Sequence, residues 1–127
     1  MKKIEIIILS LVVTLLLSAC VKPKLEEKLE GHKYKAEWEA FGGKIVDTWS
    51  FGENRSLTRV YNKGVGDELS AGYYTIDGDK ILVYYKDIDA DADKKFFESY
   101  LTFNESKDGK LILFWQDKIT VPYKQIK

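Results

Sequence analysis

From His32 to the end of the chain, apolar and polar residues alternate with a period of two. That spacing puts successive side chains on opposite faces of an extended backbone. Lys33–Phe41 shows it most cleanly: Tyr34, Ala36, Trp38 and Ala40 share one face, and Lys35, Glu37 and Glu39 share the other. Such a strand packs on one side and meets water on the other. The pattern predicts eight strands: Lys33–Phe41, Lys44–Phe51, Ser56–Tyr61, Glu68–Ile76, Lys80–Tyr85, Phe96–Phe103, Leu111–Trp115 and Ile119–Ile126. Turns fall at Gly42-Gly43, Gly52–Asn54, Asn62–Asp67, Lys107–Lys110 and Gln116–Lys118, where glycine and short polar residues supply the conformations turns need. Asp77-Gly78-Asp79, set between two strongly β-forming runs, marks the clearest hairpin. Lys86–Lys95 is the longest break, and Pro122 removes a backbone donor from the last strand, as an edge or a bulge tolerates. The predicted fold class is all-β: an eight-stranded antiparallel up-and-down meander, closed into a small barrel so that no sheet edge stays bare.

The amino terminus follows a different rule. Lys2 and Lys3 precede the apolar run Ile6–Leu17, with Glu5 at its margin, and Leu17-Ser18-Ala19-Cys20 follows at once. Charge, a short apolar stretch and small residues in that order make a secretory signal, and the run is too short to span a bilayer. Leu17-Ser18-Ala19-Cys20 resembles the lipobox of bacterial lipoprotein signals. The resemblance implies cleavage before Cys20, a diacylglycerol thioether on Cys20 and residence at the cell envelope. Val21 in place of Asp implies the outer membrane in a Gram-negative cell, and the cell membrane otherwise. Acyl chains contribute roughly 0.8 kcal/mol per buried CH₂, enough for stable anchoring when several are present. The chain thus divides into a signal over 1–19, a lipidated, charged tether over 20–30 containing Pro23, and a barrel domain over 31–127. Leu25 and Leu29, at i and i+4, have the spacing of a helical turn that packs on the barrel.

Several segments together carry a second resemblance: Gly31-His32-Lys33-Tyr34, then Thr48-Trp49-Ser50-Phe51 with Asn54, the run Ala71 to Ile81, Leu111-Ile112-Leu113, and the closing Tyr123-Lys124-Gln125-Ile126. In this order they resemble the lipocalin-like domains of small bacterial lipoproteins, over nearly all of the mature chain. The resemblance implies a calycin-type barrel. Typical lipocalins open with Gly-x-Trp and close with an Arg against that Trp; here Tyr34 and Gln125 stand in those neighbourhoods.

Charge and cysteine usage narrow the function. The formal net charge is zero, and removing residues 1–19 takes away two lysines and one glutamate, leaving −1. Nucleic-acid binding needs a basic excess, which this chain lacks. Cys20 is the sole cysteine, so no disulfide holds the domain. All 3 Trp, 8 Tyr and 6 Phe lie after residue 19, ample for one core.

Aromatic residues at alternate positions, namely Trp38, Trp49, Tyr74, Tyr85, Phe97, Phe103 and Trp115, are candidates to line a ligand cavity. An eight-stranded barrel either fills with side chains or holds one small ligand. Asp47 and Arg59 are polar residues on apolar faces; facing each other across a hairpin, they either satisfy one another or grip a polar head group. Asp87, Asp89, Asp91 and Glu98 take positions 1, 3, 5 and 12 of a calcium loop, but position six is Ala92 rather than Gly, and a solvated acidic loop is the competing reading. His32 is the sole histidine, and no triad, zinc set or phosphate loop is present, so no enzyme and no cofactor are expected.

Two functions fit. One is a membrane-anchored barrel that binds a small apolar or amphipathic ligand. The other is a protein-interaction module, a hydrolase inhibitor or an envelope assembly or stress factor, with a filled barrel. Ser70-Ala71-Gly72-Tyr73-Tyr74 is similar, with the glycine displaced by one, to the Ser-Gly-x-x-Tyr signature of lysozyme-inhibiting lipoproteins. Tyr73, Tyr84 and Phe114 are the candidates for an exposed patch on that reading.

Overall fold

The computed structural model describes residues 24–40 and 42–127. The expected signal, its cleavage site and Cys20 lie outside the described residues. One short helix, α1 (Lys24–Leu29), precedes eight strands: β1 (His32–Ala40), β2 (Gly43–Phe51), β3 (Ser56–Asn62), β4 (Asp67–Asp77), β5 (Lys80–Asp87), β6 (Phe97–Glu105), β7 (Leu111–Trp115) and β8 (Pro122–Ile126). Each strand pairs antiparallel with the next, and β8 pairs with β1 through Lys33–Ile126 and Lys35–Lys124 to close the barrel. The fold is an up-and-down closed barrel, so every edge is consumed.

The register sends the apolar set inward. Tyr34 and Ala36 of β1, Ile45, Trp49 and Phe51 of β2, Tyr74 of β4, Ile81 and Val83 of β5, and Leu101 of β6 are all buried. Tyr34, Phe51 and Tyr74 pack edge-to-face in series, with centroids 5.6 and 5.2 Å apart. Such pairs add about 0.5–1.5 kcal/mol each beyond their buried area. Gly72 is required where β4 meets β5, because a Cβ there would stand 1.8 Å from the Tyr84 carbonyl oxygen. A strand glycine of this kind lets the sheet bend tightly into a small barrel.

Three strands, β5, β6 and β8, differ from the sequence expectation by two residues or more at one end, each for a local reason. The last strand starts at Pro122 rather than Ile119. Gln116 and Asp117 both adopt positive φ, and Lys118 N–H donates to the Trp115 carbonyl, so the chain spends 116–121 on a turn. Pro122 then occupies the first strand position, where a missing donor costs little. β5 runs on to Asp87, because Asp87 pairs with Ser70. β6 runs from Phe97 to Glu105, paired with β7 as far as Leu111.

The segment read as a tether is folded from Lys24 onward. Leu29 of α1 is 0 % exposed and belongs to the core. Tyr34 donates from its hydroxyl to the Lys28 carbonyl at 3.2 Å, Arg55 pairs with Glu26, and Lys28 pairs with Glu105. The helix therefore closes one end of the barrel, beside the β2–β3, β4–β5 and β6–β7 turns. The other end carries the β1–β2, β3–β4, β5–β6 and β7–β8 connections and is the mouth.

Candidate functional site

At the mouth the barrel opens into a cup of about 420 Å³. Its walls are the rings of Trp38 at the end of β1, Tyr61 on β3, Tyr85 on β5, Phe97 at the start of β6 and Trp115 at the end of β7. Glu68 and Ser70 of β4 and Asp87 of β5 form one side of the rim, and the Arg59 side chain forms part of the floor. Five of the nine expected lining residues thus come together here: Trp38, Arg59, Tyr85, Phe97 and Trp115. The period of two explains why, since each is an inward position, four of them toward the mouth end of their strands and Arg59 at the middle of β3.

The other four do not line this cup. Trp49 and Tyr74 are fully buried within the filled part of the barrel, Asp47 is fully buried in its ion pair with Arg59, and Phe103 packs against the core. An enclosed cavity lined by all nine is therefore replaced by an open cup above a packed core. The inward residues deeper in the barrel are too bulky to leave a void.

Beneath the cup lies a buried polar network. Arg59 Nε and Nη2 donate to the two carboxylate oxygens of Asp47, both at 2.8 Å. Arg59 Nη1 donates to the Tyr85 hydroxyl at 3.2 Å, and the Tyr123 hydroxyl donates to Asp47 at 2.6 Å. Asp47 and Arg59 were expected to face each other directly. Instead Trp49 pairs with Arg59 and Asp47 with Tyr61, so the ion pair is diagonal. The turn causes this: five residues, 52–56, lie between the paired Phe51 and Leu57 instead of three, and two of them, Asn54 and Arg55, have positive φ.

Rings enclose the guanidinium. Its centre lies 4.8 Å from the Trp49 ring centroid, 5.2 Å from Tyr61, and 5.3 Å from both Tyr85 and Trp115. Each such contact is favourable for a cation over an aromatic face. Burial works against the Arg59 charge more than any other single influence, but the hydrogen bonds and negative charge of Asp47 outweigh it, and its pKa is raised. Burial is also the main reason the Tyr85 and Tyr123 hydroxyls titrate above their ordinary value, with the Asp47 charge adding to it. The Trp49 indole N–H is aimed near Tyr123 without hydrogen-bond geometry; it and the Tyr74 hydroxyl are buried without partners.

The four carboxylates of the expected calcium loop are spread over two strands and the connection between them. Asp87 sits at the end of β5 and accepts from the Ser70 hydroxyl at 3.5 Å, while Glu98 lies on β6 opposite Tyr84. Asp89 and Asp91 are in the connecting loop. Among the described residues no group of three or more His, Cys, Asp or Glu is gathered as a metal would need. The connection turns twice, Ala90 N–H donating to the Asp87 carbonyl and Lys94 N–H to that of Asp91, and Asp87 itself is held by strand pairing with Ser70. Instead, Asp87 and Asp89 join Asp67 and Glu68 along a second hollow of about 390 Å³ beside the cup.

His32 lies away from the cup, at the closed end, where its Nδ1 is 3.1 Å from Gln125 Nε2. On the outer wall, Tyr73 stacks on Tyr84 at 4.8 Å and meets Phe96 edge-on at 5.6 Å. Phe114 is not part of that cluster, since it pairs with Thr102 on β6, four residues from Glu98, the partner of Tyr84. Tyr61, Glu68 and Ser70 are cup residues that the sequence did not single out. Their signal was parity: Tyr61 shares a face with Arg59, and Glu68 and Ser70 share one with Tyr74. Comparison with protein-family models, with curated proteins and with solved structures found no match to this chain.

Proposed function

We propose that this chain is a secreted, lipid-anchored envelope protein whose lipocalin-like barrel holds a small amphipathic ligand in the cup at its mouth. One observation carries the ligand: five aromatic side chains and a few polar groups converge on one open hollow above a core that is otherwise filled. Ligand sites are concave, mostly apolar, and have a small number of placed polar groups. The anchor rests on the lipobox at Leu17-Ser18-Ala19-Cys20. Val21, Lys22 and Pro23 alone separate Cys20 from α1, a reach of about 10 Å when extended. On this reading the closed end sits at the membrane and the mouth turns away from it, toward the compartment that supplies the ligand.

Native mass spectrometry of the protein, released gently from envelope membranes, tests the reading. Extra mass that leaves on denaturation, and that is lost when Trp115 is replaced by Ala, is the expected result. A bare lipidated polypeptide at every concentration of envelope extract would sink it. Replacing Cys20 with Ser tests the anchor separately, by moving the protein from the membrane to the soluble fraction.

A second reading has its own observation. The exposed Tyr73–Tyr84–Phe96 cluster suits contact with another protein. It predicts that Tyr73→Ala abolishes co-purification of an envelope protein while leaving the ligand mass in place.

A further inference from the structure

We propose that the cup selects an organic cation, an alkylammonium or guanidinium group carried on an apolar body; this rests on the reading of the cup as a ligand site. Three features of the hollow converge on that chemistry.

The first is the rings. Tyr61, Tyr85 and Trp115 already hold a cation, the Arg59 guanidinium, at 5.2 to 5.3 Å from their centroids. The same three residues line the hollow, so a second cation that enters it lies beside the same rings. Trp38 and Phe97 extend this aromatic wall outward to the mouth. An anion or a fatty-acid carboxylate would meet the same faces unfavourably.

The second is the state of Arg59. It lines the cup, but its charge is matched at 2.8 Å by both oxygens of Asp47 and its side chain is only 11 % exposed. It is therefore not a free positive charge that would attract an anionic ligand or repel a cationic one. Among the described residues three of its five N–H groups donate, so it has N–H groups left to offer a hydrogen bond to a neutral oxygen on the ligand's buried end.

The third is the rim. Glu68 and Asp87 border both the cup and the neighbouring hollow, and each carboxylate is 58 % exposed. Their ion pairs, Glu68 with Lys63 and Asp87 with Lys94, are stretched to 3.9 and 4.0 Å on mobile-length side chains. A pair that open contributes little, so a ligand cation displaces the lysines at small cost. From floor to rim the charges then alternate: Asp47, Arg59, ligand body, ligand cation against Glu68 and Asp87.

Three water-soluble probes of similar shape test this on the full chain in a nonionic detergent: benzyltrimethylammonium, the neutral 2-methyl-1-phenyl-2-propanol, and phenylacetate. Ligand-observed NMR reads their affinities. Benzyltrimethylammonium is expected to bind roughly tenfold tighter than the neutral alcohol, with phenylacetate weakest. Replacing Glu68 with Gln and Asp87 with Asn together brings the cation down to the affinity of the alcohol, with the melting temperature checked to confirm the fold. Equal binding of cation and alcohol, or tighter binding of phenylacetate, overturns the cation assignment while leaving the cup a ligand site. No binding by any probe also overturns the cation assignment, and the ligand reading then rests on the native mass spectrum alone.

Discussion

At the residue scale, the pair that decides most is Asp47 and Arg59. Asp47 is 0 % exposed and accepts from Arg59 and from Tyr123. Taking two charges out of water is costly, and good geometry only offsets that cost. Removing one partner strands the other. Asp47→Asn is expected to lower stability by about 3–5 kcal/mol, a large share of the 5–15 kcal/mol typical of a domain. Urea unfolding measures it. The double variant Asp47→Leu, Arg59→Met is expected to recover most of that loss, because it leaves no unpaired charge. A double variant as unstable as Asp47→Asn would show that the network holds the barrel by shape rather than by charge balance. Both residues stood out in the sequence as polar positions on apolar faces, but their diagonal contact depends on register, which the β2–β3 turn sets.

At the element scale, α1 carries the least expected contribution. Its six residues are too few to be stable as an isolated helix. Its order comes from Leu29, which enters the core, and from the Arg55–Glu26 and Lys28–Glu105 pairs to the turns beneath it. Leu29→Ala is expected to cost about 2–5 kcal/mol, as for other buried leucines. Hydrogen exchange would show the loss first at the closed-end turns. A change below about 0.5 kcal/mol, the usual surface value, would mean that 24–30 is a tether after all. The Leu25–Leu29 spacing held the signal for this helix, but the charged residues around it match a linker equally well. Only the hydrophobic opening at the end of the barrel selects the helix.

At the scale of the whole molecule, the filled core stores a set of tyrosines that resist ionisation. Burial pushes Tyr34 and Tyr74 up to about 12, and it raises Tyr85 and Tyr123 as well. An unfolded tyrosine titrates near pH 10. Below that, these groups are neutral in both states and stability is unaffected. Between about 10 and 12 the unfolded chain releases protons that the folded chain keeps, so stability falls as pH rises. Absorbance at 295 nm should show Tyr34, Tyr74, Tyr85 and Tyr123 ionising only with cooperative unfolding, above about pH 10. A single smooth titration of all of them near pH 10, with the fold intact, would contradict the packing. The alternation of residues by itself determined the all-β class, the strand order and the inward faces, because side-chain direction in a strand depends only on parity. It also brought five cup residues onto the right side of the sheet. The tertiary structure alone decided which inward positions reach the mouth and which fill the core, that Glu68, Ser70 and Tyr61 join the cup, and that Asp87 stands on its rim. Those outcomes depend on distances between strands far apart in the chain, and these are fixed only when register, turn geometry and barrel closure are satisfied together.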